Sequence, residues 1–305
     1  MYFLAVLNED GGTLRTTDLD AFIARAKQTL EKAGHRFEAQ VVSGKEITQA
    51  LKAASEREDV DVVIAGGGDG TISAAAACLM DTPRALAVLP AGTMNLFARS
   101  LQIPLDLDAA IQAFASGELR SVDVASANNK PFIHQFSIGL HAKLIELRDK
   151  MEYASRLGKI RASMRAAFLT IFQPPRVHIT LHMDNAELIV RTAGIGVSNN
   201  PFGEGHLPYA DRLDQGLLGV YITKGQTTRE IISFVLHLVL GRWKSSPRVE
   251  IHETKALKLT VRGRRRNPYR CAMDGEISDM ARETVIRIHP LALRVLTPPN
   301  SEVSG

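Results

Sequence analysis

The chain has 305 residues, 45% hydrophobic and 23% charged, with 37 Lys/Arg, 33 Asp/Glu and two cysteines. A chain this long and this apolar buries a sizeable core, most readily as two domains, which excludes the disordered and disulfide-framed classes. Its net charge of +4 is uneven: residues 241–270 hold ten Lys/Arg and two Asp/Glu, residues 148–165 hold six and two, and the remainder carries −8. Such asymmetry reads either as an anionic partner or as a solvated basic face.

In chain order, YFLAVLN (2–8) reads as a buried first strand. Phe22, Ala26, Leu30 and Ala33 repeat at helical spacing over 19–33, with Asp18 placed to cap and Gly34 to stop. HRFEAQVV (35–42) reads as a strand, and Ile47, Ala50, Leu51 and Ala54 line one face of a second helix. VDVVIAG (60–66) is a continuous apolar run of the kind that a parallel sheet buries on both faces. AGGGDGTISAAA follows, with a helix expected from Thr71; then come strand ALAVLP (85–90), helix TMNLFARSL (93–101) and a helix stopped at Gly117. This βα alternation predicts a layered α/β domain over 1–122.

From residue 123 the pattern becomes short, partly alternating strands, such as RVHITLHM, LIVRTAGIGVSN, RVEIHE and YRCAMDG. They predict a β-rich, sandwich-like domain over 123–290, with helical insertions near 141–172 and 228–242, and 291–305 as a return segment and tail. Cys78 and Cys271 have no metal-ligand spacing, and a reducing cytoplasm suits them. The N-terminal apolar run is too short for a signal peptide, and IISFVLHLVL (231–240) is too short to cross a bilayer. A soluble or peripheral protein is expected.

A strand, a glycine turn and a helix start place free amides at the carboxyl edge of a sheet, where a phosphate can approach. No Gly-Lys-Ser/Thr follows, so this is no Walker loop, and Thr71 stands where a dinucleotide fingerprint needs its third glycine. Asp69 repels phosphate unless it faces a ribose, a magnesium ion or an amide. By residues alone, an ordinary glycine-rich turn remains the alternative.

GGGDGT resembles the signature of the diacylglycerol kinase catalytic-domain family, related to sphingosine kinases and more distantly to NAD kinases and phosphofructokinases. LPAGTMNLFARSLQIP (89–104), DLDAAIQAFASGELRSVDVA (106–125), FIHQFSIGLHAKLI (132–145), DRLDQGLLGVYI (211–222) and AMDGEI (272–277) resemble its later motifs, in order along the chain. The resemblance implies a parallel-sheet α/β domain of the NAD kinase type, a β-sandwich-like second domain, and a cleft between them. It implies ATP phosphates held by Gly66, Gly67, Gly68, Asp69, Gly70 and Thr71, with Thr93, Asn95 and Ser43 lining the nucleotide site. It implies Asp274 or Glu276 as the base on a lipid hydroxyl, with Glu276 preferred for its reach, and Mg²⁺ near Asp214 and Gln215. Without the resemblance, MDGEI reads as a plain hairpin turn.

The expected protein is an ATP- and Mg²⁺-dependent lipid kinase, acting on diacylglycerol at the inner face of an anionic membrane. A kinase of another hydroxyl, such as NAD, and a non-catalytic nucleotide-binding regulator are the alternatives. Four stretches depart from the family pattern: Ser73-Ala74-Ala75, Asn95-Leu96, Asp214-Gln215 and Asn8-Glu9-Asp10. The histidines, His134 and His141 among them, read as structural or surface residues. Trp243, between Arg242 and Lys244, reads equally as a membrane-interface edge or as the charged end of a core helix. The face Leu157, Ile160, Met164, Phe168 and Ile171 reads as docked on the sandwich. GRRRNP (263–268) lacks interleaved stacking aromatics, so no nucleic-acid partner is expected.

Overall fold

The computed structural model describes residues 1–149, 175–184, 186–203, 209–224, 227–239, 241–262 and 269–299. The face expected over 157–171 and GRRRNP at 263–268 lie outside the described residues. The first half alternates β1 (Tyr2–Asn8), α1 (Leu19–Lys32), β2 (Arg36–Val42), α2 (Ile47–Glu56), β3 (Val62–Gly67), α3 (Asp69–Leu79) and β4 (Ala85–Pro90), then α4 (Leu96–Ser100) and α5 (Leu107–Ala115). The strands are parallel in the order β2-β1-β3-β4. Every residue of β3 and β4 is buried, as expected of central strands covered on both faces. Phe22, Ala26 and Leu30 form the inner stripe of α1, and the Asp18 carboxylate accepts from the Ala21 amide at 3.1 Å. Helix α3 starts at Asp69 rather than Thr71, so the loop carboxylate belongs to its first turn.

The second half adds β5 (Glu118–Ala127), β6 (Lys130–Phe132), β7 (Gln135–Gly139), α6 (Leu140–Asp149), β8 (Val177–Met183), β9 (Ala186–Thr192), β10 (Gly194–Asn199), β11 (Leu218–Thr223), α7 (Thr228–Val239), β12 (Val249–Thr254), β13 (Ala256–Val261), β14 (Tyr269–Met273), β15 (Glu276–Met280) and β16 (Glu283–Thr297). One antiparallel layer runs β12-β11-β10-β7-β14-β15; the layer facing it contains β5, β16, β13, β8 and β9. Phe136, Ile138, Val197 and Val220 of the first layer share a core with Ile179, Leu181, Leu259 and Ile286 of the second, which makes a sandwich. The strand expected over 188–199 is two strands, because the chain changes layer at Ala193. Thr192 Oγ1 donates to the Thr223 carbonyl at 2.6 Å there, and Gly194 comes so near β7 that a Cβ would lie 2.9 Å from the Ile138 carbonyl oxygen.

Strands β5 and β16 run through both halves. Residues 283–287 of β16 pair with β13, whereas Arg294 and Val295 pair in parallel with β4. Between them the register shifts, and Leu291 turns left-handed with φ 54°. Asp123 holds this bend from β5. It is fully buried and accepts from the Leu291 amide (2.9 Å), the Gly216 amide (2.6 Å) and Asn200 Nδ2 (2.7 Å). Three donors offset the cost of burying that charge.

Candidate active site

The glycine loop leaves the carboxyl end of β3. Each glycine answers a different need. A Cβ on Gly66 would lie 2.6 Å from Leu7 Cδ2, and one on Gly67 would collide with the Thr71 side chain. Gly68 is different: the nearest atom to its would-be Cβ is Gly92 Cα at 3.6 Å, so the space beside it is open. Gly68 is also the N-cap of α3, and no side chain caps that helix. Its first-turn amides therefore face outward with the positive end of the helix dipole.

Asp69 faces amides. Its oxygens accept from the Leu96 amide at 2.8 Å and the Asn95 amide at 3.1 Å, fastening the LPAGTMN stretch to the loop. Asn95 is left-handed (φ 50°); its Oδ1 accepts from the Gly92 amide at 2.8 Å and its Nδ2 donates to the Gly92 carbonyl at 3.0 Å. Gly92 in turn sits so close that a Cβ would come 2.8 Å from Gly68 Cα. The result is one continuous cradle from two sequence motifs.

A pocket of about 630 Å³ opens in front of it. Gly68, Asp69, Gly92, Thr93, Leu96 and Phe97 line it from the first half; Ile133, His134, Gln135, His141, Asp274 and Gly275 line it from the second. Asp274 and Gly275 form the two-residue turn between β14 and β15, with φ 46° and 86°, the left-handed pair of a type I′ hairpin. The Asp274 carboxyl is enclosed. It accepts from Ser73 Oγ (2.6 Å) on α3 and from the amides of His134 (2.9 Å), Gln135 (3.0 Å) and Ile133 (3.0 Å). Burial pushes its pKa up, and the four donors pull the other way. Its bond to Ser73 ties the two halves together beside the cradle.

Glu276 opens β15 on the other side of the turn. Its side chain is exposed, and it has no hydrogen bond or ion pair among the described residues. Its Oε1 lies 3.3 Å from where a side chain on Gly70 would begin, so a carboxylate from the sandwich meets the glycine loop.

Two histidines read from the sequence as structural stand in the pocket wall. The His134 ring packs on Phe202, with centroids 5.5 Å apart. Burial drives its pKa down to about 4, against the pull of the nearby Asp69 charge, so it is neutral at pH 7. His141 Nδ1 meets Ser137 Oγ at 2.7 Å and Gln135 Nε2 at 3.0 Å. Their position in the FIHQFSIGLHAKLI stretch, at the entry to the second domain, was the available signal.

Other expected site residues lie elsewhere. Ser43 Oγ donates to Glu46 Oε2 at 2.6 Å just ahead of α2, and Ser43 is not part of the pocket lining. Thr71 is buried and accepts from Asn8 Nδ2 at 3.3 Å. Asp214 is ion-paired with Arg212 at 3.2 Å, and the amide of Gly216, beside Gln215, is taken by Asp123. Among the described residues no three His, Cys, Asp or Glu side chains converge as a metal ligand set. Trp243 is 5% exposed and packs edge-on against Tyr221 at 5.4 Å, which selects the core-helix end from its two readings.

The fold and cleft define an α/β domain joined to a β-sandwich around a glycine-lined cradle. Residues 2–127 match the diacylglycerol kinase catalytic domain, and residues 135–297 match the YegS C-terminal NAD kinase beta sandwich-like domain. The chain belongs to the diacylglycerol kinase catalytic-domain family. A diacylglycerol kinase of Staphylococcus aureus (strain JH9) is 26% identical over 243 residues, 76% of this chain and 74% of that protein. An uncharacterized Synechocystis protein is 26% identical over 264 residues; the match covers 83% of this chain and spans only 59% of that protein. A Bacillus anthracis str. Sterne crystal structure, provisionally described as a diacylglycerol kinase, superposes with TM-score 0.79 at 19% identity, over 98% of this chain and 96% of that one.

Proposed function

We propose that the protein is an ATP-dependent lipid kinase that transfers the γ-phosphoryl group to a lipid hydroxyl, with diacylglycerol as the first acceptor to test. The carrying observation is Glu276, a carboxylate with no partner among the described residues and 3.3 Å from the side-chain position of Gly70 in the glycine loop. Phosphoryl transfer asks chiefly for positioning and charge stabilisation. The first-turn amides of α3 hold the phosphates and receive the charge that develops on the transferring group. Glu276 takes the acceptor's hydroxyl proton as its oxygen bonds to the γ-phosphorus and the bond to the ADP oxygen breaks. Magnesium is expected to arrive on the nucleotide phosphates, since such ions need few protein ligands. Asp274 positions: it holds α3 and the start of β7 in register across the cleft.

Incubation with labelled ATP and a total lipid extract, with NAD in parallel, tests the reading. Label in a lipid product is expected; label in NAD or in no acceptor refutes it. One observation favours a second reading, a nucleotide-binding regulator: Leu96 stands where the family pattern often has Asp, Gln215 stands where it usually has Asp or Asn, and the adjacent Asp214 is ion-paired with Arg212. ATP binding without turnover on any acceptor would select it.

A further inference from the structure

Helix α7 has an unusual outer face. Its inner side is well fixed. Thr227 and Glu230 form a capping arrangement with three contacts of 3.0–3.4 Å, Arg248 pairs with Glu230 at 2.9 Å, and Ile231 is fully buried. The outer side carries Arg229, Ile232 and Leu236 at helical spacing, with Ile232 40% and Leu236 56% exposed. A helix on a water-facing surface normally puts polar residues there. Just past its end, Arg242 and Lys244 are exposed on either side of the buried Trp243. Among the described residues, Arg229, Arg242 and Lys244 make no ion pair, whereas the neighbouring Lys224 and Arg248 are neutralised by Glu250 and Glu230.

We infer that this face of α7, with Arg229, Arg242 and Lys244, is the surface that docks on an anionic lipid bilayer. The inference rests on the lipid-kinase reading and gives it a location. An apolar stripe bordered by unneutralised cations matches both parts of such a bilayer, acyl chains below and charged headgroups at the rim. The face is also joined to the pocket. Trp243 packs on Tyr221 (5.4 Å), Tyr221 stacks on Phe202 (5.0 Å), and Phe202 packs on the pocket residue His134 (5.5 Å). A contiguous series of ring contacts thus links the base of this face to the pocket wall.

Co-sedimentation with vesicles tests this, using the intact protein, an Ile232→Ser/Leu236→Ser variant and an Arg242→Gln/Lys244→Gln variant. All four side chains are exposed, so the fold is retained. With equal parts phosphatidylglycerol and phosphatidylcholine, each double variant is expected to bind about tenfold or more weakly than the parent. Added salt should weaken the parent more than the charge variant. Parent-like vesicle binding by either double variant overturns the inference. So does a parent dimer that Ile232→Ser/Leu236→Ser splits while vesicle binding stays unchanged, because the face then covers a second copy. Phosphorylation of a short-chain, monomerically dissolved diacylglycerol is the separate control. It should survive in both variants, and its absence from the parent would sink the lipid-kinase reading without touching the vesicle result.

Discussion

Replacing Gly68 by alanine separates a phosphate cradle from an ordinary glycine turn. The backbone there (φ −85°, ψ −179°) is extended and open to any residue, and the new methyl would find only Gly92 Cα, at 3.6 Å. Losing glycine's freedom in the unfolded chain stabilises by about 0.4–1 kcal/mol, while alanine is about 0.5–1 kcal/mol worse than glycine at an N-cap. Stability should therefore stay within about 1 kcal/mol of the parent. The methyl does fill the volume that a phosphate oxygen needs when it bonds the first-turn amides at about 2.9 Å. Losing one such charge-assisted bond, at about 1.5–3 kcal/mol, weakens ATP about 10–100-fold. Gly66→Ala is the contrast: its Cβ lies 2.6 Å from Leu7 Cδ2 and 3.3 Å from Leu14 and Leu89, so it should cost about 1–3 kcal/mol of stability through overpacking. Calorimetric titration with ATP and thermal unfolding read both quantities. Parent-like ATP affinity in Gly68→Ala, or a loss seen only together with unfolding, would refute the cradle.

Glu276→Gln should retain ATP affinity and lose about 10²–10⁴-fold in single-turnover phosphoryl transfer; full activity would remove Glu276 from the role of base. Asp274→Ala leaves three amides and the Ser73 hydroxyl without their acceptor and should cost roughly 3 kcal/mol or more in denaturant unfolding, against about 1 kcal/mol for Ser73→Ala. Equal stability of Asp274→Ala and the parent would dismiss the tie between the halves. His134, whose folded pKa is lowered from 6.5 to about 4, stays neutral while the unfolded chain takes up a proton. Its contribution is complete above pH 6.5 and is lost as pH falls towards 4, to a ceiling of about 3 kcal/mol. His134→Phe should flatten that part of the stability–pH curve, and an unchanged curve counts against a buried neutral imidazole.

The first half is readable from sequence because its order is local. Continuous apolar runs such as VVIAGG and ALAVLP, spaced by capped amphipathic helices, leave few alternatives to a parallel sheet. In the second half, strands are readable but their partners are not. Nothing in LIVRTAGIGVSN marks the change of layer at Ala193, since the residues on both sides alternate acceptably in either sheet. The cradle's glycines are visible as a motif, but only geometry shows that Gly66 and Gly67 serve packing while Gly68 borders open space. Asp69 is the odd member of the motif because its acceptor role depends on amides 26 and 27 residues later. Asp274 and Asp123 likewise draw their donors from distant segments, so side-chain type alone cannot distinguish a structural carboxylate from a reactive one.

The passage of β5 and β16 through both halves also bears on how the molecule comes into being. On the ribosome, β1 to β4 emerge first, yet Ala85, paired with Val62 on one side, meets Arg294 on the other. The β4 edge therefore waits, unpaired, through synthesis of the entire sandwich, and such bare edges recruit other chains. Long-range closures of this kind are slow steps in acquiring native structure. A fragment ending at residue 122 keeps that edge permanently open and should aggregate rather than form a miniature nucleotide-binding module. In the intact chain the two halves share their central strands, so they should melt as one cooperative unit. ATP bound at the glycine loop should then slow amide exchange in β13, on the far side of β16.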